Sequence, residues 1–334
     1  MARTTLTRTV LAAVAATSLF ALGACSSDAG NEPAGGGETA AADDGVITLG
    51  FSQVGAESGW RAANTKSIQD TLTADNGFDL KFSDAQQKQE NQIQAIRTYI
   101  TQGVDVIAFS PVVETGWDAV LQEAKTAGIP VILTDRAVDS SDDTLYESFI
   151  GSDFVEEGKR VGEWVVDQYD GEGYKAVELQ GTTGAAPAID RKEGFEAAIK
   201  GSDIDMIDSQ TGNFTRAEGK TVMEGFLNKY DDIDLVFAHN DDMALGAIEA
   251  IEAAGKVPGK DIKIVSIDGV KDGMQALADG KINYIVECNP LLGPDLADIA
   301  KKVIAGDEVE KRIVTQDGAF DQAGAKEALP SREY

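Results

Sequence analysis

Asp135-Arg136, His239-Asn240-Asp241-Asp242 and Asp268-Gly269 each close a short apolar run, and their side chains suit the holding of hydroxyl groups. A carboxylate accepts, a guanidinium donates through a rigid fork, and an amide does both. Ser110-Pro111 closes a fourth run. A further run, at residues 46–51, leads into Ser52-Gln53-Val54-Gly55-Ala56-Glu57-Ser58-Gly59-Trp60-Arg61, which adds an acid, a base and an aromatic ring. Glu114-Thr115-Gly116-Trp117, Gly181-Thr182-Thr183-Gly184, Asp190-Arg191 and Asn213-Phe214 supply more of the same groups. A ligand with donating and accepting hydroxyls and apolar C–H faces, such as a sugar, matches that inventory. Each residue also has a plainer reading. Asn240 can be a helix N-cap with Asp241 and Asp242 in the first turn. Trp60 and Trp117 can be core residues, and Asp190-Arg191 a solvated helix face. Recurrence at the same end of successive runs favours a site.

Other chemistries find less support. No G-x-G-x-x-G follows a strand, and in Gly212-Asn213-Phe214-Thr215-Arg216-Ala217-Glu218-Gly219-Lys220-Thr221 the first Gly comes two residues too early for a phosphate loop. Thr215 three residues before Glu218 reads instead as a capping box. His239 is the single His, there is no G-x-S-x-G elbow, and a lone His at a strand end reads as a structural hydrogen-bonder. One His and two Cys make a poor metal set, and no cofactor is implied. Carboxylates are plentiful enough for a glycosidase pair, although no spacing points to one.

These groups need a scaffold that brings strand ends together. Val131-Ile132-Leu133-Thr134, Leu235-Val236-Phe237-Ala238, Ile264-Val265-Ser266-Ile267 and Val104-Asp105-Val106-Ile107-Ala108-Phe109 are apolar almost throughout, as buried parallel strands are. Strand and helix patterns alternate from residue 46 to about 150, then restart from about 155. The expected fold is therefore α/β, with two similar doubly wound parallel-sheet lobes. In open sheets of this kind ligands bind outside the carboxyl ends of the strands. One boundary is expected near Gly151-Ser152 and another near Cys288-Asn289, with a helix at 291–304 and a strand at 312–314 beyond it. Pro330-Ser331-Arg332-Glu333-Tyr334 reads as a surface tail.

The first 24 residues read as a signal peptide, with Arg3 and Arg8 before an apolar stretch at 10–22 that is short for a membrane span. Leu22-Gly23-Ala24-Cys25 resembles the lipobox of bacterial lipoproteins, which makes Cys25 the expected lipidation site and the anchor the only membrane contact. Residues 25–45 read as a flexible tether. Cys288 then has no disulfide partner and reads as a small buried hydrophobe. Removing residues 1–24 removes two Arg and no acid, leaving 57 acids against 27 bases, or −30. That charge argues against nucleic acid as a partner.

Taken together, Asp84-Ala85-Gln86-Gln87, Ser110-Pro111, Thr134-Asp135-Arg136, His239 to Ala247 and Ser266-Ile267-Asp268-Gly269 resemble the strand-end motifs of the sugar-binding, type I periplasmic binding proteins that feed ABC importers. Phe51 to Gly55, Glu57 to Arg61, Gln86 to Gln92, Pro111-Val112-Val113, Thr115-Gly116-Trp117, Glu178 to Gly181, Ala188 to Lys192 and Phe214-Thr215-Arg216 are similar to the galactofuranose-binding branch. The resemblance implies a monomeric, non-enzymatic receptor whose lobes, joined by a three-crossover hinge, close on one monosaccharide and deliver it to a permease. The expected lobes are 46–151 plus 289–311 and 152–288 plus 312–334. It implies sugar contacts at Asp135, Arg136, Arg191, Asn240 and Asp268, with Trp60 and Arg61 marking the branch's own loop. Ser52, Glu57, Ser110, Trp117, Phe214 and Glu287 complete the candidate set. Glu287-Cys288-Asn289 stands where ribose-binding relatives often carry a cleft Gln. A sugar sensor for a signalling partner and a carboxylate glycosidase are the alternative readings.

Overall fold

The computed structural model describes residues 45–334. The expected signal peptide, Cys25 and nearly all of the expected tether lie outside the described residues. The chain begins with β1 (Ile47–Gln53), α1 (Gly59–Thr71), β2 (Phe78–Asp84), α2 (Gln89–Gln102), β3 (Val106–Phe109), α3 (Asp118–Thr126), β4 (Val131–Thr134) and β5 (Ser148–Gly151). It continues with α4 (Phe154–Tyr169), β6 (Lys175–Gln180), α5 (Ala186–Ile199), β7 (Asp205–Thr211), α6 (Arg216–Lys229), β8 (Leu235–Ala238), α7 (Asp241–Ala253), β9 (Lys263–Asp268), α8 (Lys271–Ala278) and β10 (Tyr284–Glu287). The last elements are α9 (Gly293–Ala305), β11 (Arg312–Val314), β12 (Ala319–Phe320) and α10 (Gln322–Ala328). None of the helices among the described residues is long and apolar enough to cross a membrane.

Two six-stranded sheets result, ordered β11-β5-β4-β3-β1-β2 and β12-β10-β9-β8-β6-β7. All pairings are parallel except the short β10–β12 ladder. In β3 the side chains alternate between two cores. Val106 and Ala108 belong to the one that holds Ile68, Leu296 and Ile299 of α1 and α9. Ile107 and Phe109 belong to the one that holds Ile96, Trp117 and Leu121 on the α2 and α3 side. A strand covered on both faces needs apolar residues at every position, which is why these runs show no alternation. The edge strand β2 carries Asp79 and Lys81 on exposed positions, which discourages pairing with another chain.

Helix contacts in the second lobe are tight enough to require glycine. A Cβ on Gly158 of α4 would lie 2.0 Å from the Arg191 carbonyl oxygen, and one on Gly194 of α5 would lie 2.0 Å from that of Val155. Two glycines thus let α4 and α5 meet backbone to backbone beside Arg191.

Two expectations about the last part of the chain are corrected. The strand Arg312–Val314, placed in the second lobe from the sequence, pairs in parallel with Phe149, Ile150 and Gly151 in the first. The chain therefore returns to the second lobe after Val314, not before Arg312. Its side chains are largely exposed, so no apolar pattern marks the sheet it joins. The residues read as a surface tail are docked: Arg332 and Tyr334 both bond to Glu287.

Candidate ligand-binding site

Between the carboxyl ends of the two sheets lies a narrow cavity. Glu57, Ser58, Trp60, Arg61, Asp135 and Arg136 line it from the first lobe, and Pro187, Arg191, Phe214, Asn240 and Asp268 from the second. Cys288, on the crossover after β10, completes the wall. The lining thus holds three guanidiniums and three carboxyl groups, with two aromatic rings.

On the first-lobe side one ion cluster joins the loop after β1 to the end of β4. Arg61 sits in the first turn of α1, which Ser58 caps by accepting its backbone N–H. Its guanidinium donates to Asp135 Oδ2 at 2.6 Å, to Glu57 Oε1 at 3.0 Å and to Gln53 Oε1 at 3.2 Å. Ser110 Oγ donates to the same Asp135 oxygen at 2.9 Å. Arg136 donates to the Val112 carbonyl at 3.2 Å and to Glu57 Oε1 at 3.3 Å. Burial and the neighbouring Arg61 push the Arg136 guanidinium down to about 10. Glu57 Oε2 and Arg136 Nε, both buried, have no hydrogen-bond partner. Asp135 itself has φ +61°, a left-handed conformation that Asp tolerates better than most residues.

The second-lobe side is built round Arg191. It donates to Glu157 Oε2 of α4 at 2.7 Å and to the His239 carbonyl at 2.7 Å, and it lies 3.8 Å from Asp268 Oδ1. Burial pushes Glu157 up to about 7 against the pull of Arg191, and it raises Asp268 well above the usual carboxylate range. His239 Nδ1 accepts from Gly181 N–H, which puts its proton on Nε2, facing Glu178 Oε1 at 2.9 Å. The single His is thus a structural hydrogen-bonder below the cavity floor. Asn240 caps α7 by accepting from Met243 N–H at 3.0 Å, and its amide donates to the Phe214 carbonyl at 3.1 Å. The Phe214 ring passes so close to Gly181 that a Cβ there would lie 1.9 Å from it.

Thr215 accepts from Glu218 N–H as a cap should, but the Glu218 carboxylate takes the Asn213 amide instead of reaching back. Only half of the expected capping box forms, because Thr215 N–H is already bonded to the Gly212 carbonyl.

Not every candidate reaches the cavity. Ser52 and Ser110 are fully buried behind it. Trp117 packs on Phe109 with ring centroids 4.9 Å apart and donates to the Val113 carbonyl, so it is a core residue. Glu287 points away, held by Arg332, Tyr334 and Gly318 N–H. Side chains alternate along a strand, so the next residue, Cys288, takes the inner side. Pro187 and Ser58 also line the wall; Ser58 stands within the loop after β1 noted in the sequence, and nothing local singled out Pro187. Trp60 both lines the cavity and donates to the Cys288 carbonyl at 2.6 Å.

The periplasmic binding protein domain profile matches residues 49–308. The chain belongs to the periplasmic binding protein family. It is 48% identical to the galactofuranose-binding protein YtfQ of Escherichia coli (strain K12) over 292 residues, 86% of this chain and 92% of that one. A solved Mycobacterium smegmatis structure in complex with β-D-fucofuranose is 65% identical, with a TM-score of 0.84 over 86% of this chain and 96% of that one. The periplasmic binding component of the arabinose ABC transporter of Shewanella sp. ANA-3, bound to α- and β-L-arabinofuranose, is 48% identical, with a TM-score of 0.82 over 86% and 96%. Membership makes this chain an extracytoplasmic sugar-binding protein rather than an enzyme, and its two parallel-sheet lobes are those of the type I fold.

Proposed function

We propose that this chain captures one monosaccharide in its furanose form between the lobes and presents it to an ABC permease, tethered to the outer face of the cell membrane by a lipid on Cys25. The carrying observation is the cavity lining. Three Arg and three carboxyl side chains line the cavity, with Trp60 and Phe214 as apolar faces. Such a wall offers both donors and acceptors to a neutral polyol. The unpaired Glu57 Oε2 and Arg136 Nε are two groups a hydroxyl can satisfy. Its similarity to proteins whose structures hold fucofuranose and arabinofuranose supports the ring form.

A thermal-shift screen of D-galactose, D-fucose, L-arabinose, D-ribose and D-glucose tests the reading. The first three should raise Tm through their minor furanose forms, and carbon-13 spectra of the bound sugar should show furanose signals. A flat response to all five would overturn it. Loss of the protein from the membrane fraction on Cys25→Ser would support the anchor, and an unchanged fraction would remove it.

Closure on the ligand is read from contacts that span the lobes. Gly59 N–H, at the start of α1, donates to Asp242 Oδ2 of α7 at 2.7 Å. Glu114 N–H donates to the Gly184 carbonyl at 2.9 Å, and the Arg136 guanidinium lies over the Phe214 ring at 5.2 Å. Gly59 opens α1 and Asp242 stands in the first turn of α7, so this carboxylate meets the positive N-terminal ends of both helices. A hydrogen bond to a charged group contributes about 1.5–3 kcal/mol. Asp242→Ala should therefore weaken sugar binding by roughly tenfold or more, chiefly through faster release. Stopped-flow dissociation rates unchanged by the substitution would make this bond incidental to closure.

A further inference from the structure

The turn that carries Asp268 has an uncommon backbone. Asp268 has φ +127° and Gly269 +79°. A residue with a Cβ holds such an angle only where its surroundings enforce it. Here they do so on every side. The Asp268 carbonyl accepts from Cys288 N–H at 3.0 Å. Asp241 accepts from Gly269 N–H and Val270 N–H, each at 2.8 Å. The remaining group, the Gly269 carbonyl, accepts from Arg332 Nε at 2.6 Å. Nη1 of the same guanidinium donates to Glu287 Oε1 at 2.6 Å, and the Tyr334 hydroxyl donates to that oxygen at 2.6 Å. Glu287 is the register partner of Asp268 on the neighbouring strand. The Arg332 guanidinium also lies over the rings of Tyr334 and Phe320, at 4.3 and 5.3 Å.

We propose that Arg332 is a positioning residue for the cleft: by clamping the Gly269 carbonyl to Glu287, it holds Asp268 in the backbone conformation that presents its carboxyl to the ligand. The inference rests on the sugar-binding reading above, and it gives Glu287 a role outside the cavity. Arg332 does not line the cavity, so it acts only through the turn. The clamp needs two donors in a fixed plane, which a guanidinium supplies and an ammonium does not.

Wild type, Arg332→Ala, Asp268→Asn and the double variant form a cycle, titrated by calorimetry with L-arabinose and D-galactose. Arg332→Ala should weaken binding about tenfold in the wild type and less than twofold in the Asp268→Asn background. Equal losses in both backgrounds would overturn the proposal. Arg332→Lys, which keeps the charge and one donor, covers the case in which the Ala variant does not fold, and should give an intermediate loss; wild-type affinity in the Lys variant would count against the clamp. Amide hydrogen exchange at Gly269 and Val270 supplies a readout that needs no ligand. It should accelerate about tenfold in Arg332→Ala, and unchanged exchange would overturn the clamp. If the wild-type protein binds neither sugar and responds to none of the five in the thermal-shift screen, the functional reading fails, while the exchange experiment still decides this one.

Discussion

Replacing Asp135 by Ala should cost sugar affinity and fold stability together. Asp135 Oδ2 accepts from Arg61 at 2.6 Å and from Ser110 at 2.9 Å, while all of the hydrogen bonds of this carboxylate described in the structure fall on that one oxygen. Oδ1 is therefore the atom with room to accept a ligand hydroxyl, and losing a charge-assisted bond of about 1.5–3 kcal/mol predicts a tenfold to roughly hundredfold weaker Kd. The stability effect has a separate origin. Arg61 and Arg136 are both buried, and without Asp135 only Glu57 remains to balance them. Removing one partner of a buried ion pair typically destabilises by about 3–5 kcal/mol. Ala also tolerates the left-handed backbone at this position less well than Asp or Asn. Asp135→Asn should recover the backbone share of the loss but not the affinity. Calorimetry and urea unfolding on the same two variants separate these effects. Unchanged affinity with reduced stability would make Asp135 a counter-ion for Arg61 and nothing more.

What could be read in advance and what could not divide along physical lines. Strand ends announce themselves because a buried parallel strand is apolar throughout and must stop at a polar residue. Asp135, Arg136, Asn240 and Asp268 were legible on that basis, and all four stand at one cavity. Arg191 came from its helix following such a strand. Partners remote in sequence left no trace. Glu157 sits in a Val-Glu-Glu-Gly-Lys-Arg stretch that looks solvated, yet it is buried against Arg191 because Gly158 lets α5 come so near. Glu287 and Cys288 could not be told apart, since neighbouring strand residues face opposite ways and nothing local fixes which way is inward. Arg332, 63 residues from Gly269, was hidden in what read as a tail. Trp117 shows the converse: an aromatic residue beside a strand end that packs inward on Phe109.

Arg191 is where the largest pH-dependent effect is expected. Its guanidinium is in contact with two buried acids that burial pushes upward, Glu157 at 2.7 Å and Asp268 at 3.8 Å. Glu157, pushed up to about 7 by burial, still holds its proton in the folded chain over a pH range where the unfolded chain has lost it. The unfolded state thus binds fewer protons between about pH 4.5 and 7, and stability from this group falls as pH rises through that window. Asp268, raised in the same direction, adds to the fall. Arg191 offsets it, because a nearby positive charge favours both ionised forms. Arg191→Met keeps the length of the stem and removes that offset, so both carboxyls shift further upward. Urea unfolding should find the variant about 3–5 kcal/mol less stable than wild type at pH 8, where two buried acids lack a counter-ion. At pH 5 the gap should narrow, since protonated carboxyls need none. The variant also loses its bond to the His239 carbonyl and one cavity donor, so sugar affinity should fall by about a hundredfold even at pH 5. A stability gap that is the same at both pH values would mean that Glu157 and Asp268 do not change protonation across this range. The Arg would then act through packing against Phe154, over whose ring it lies at 5.1 Å.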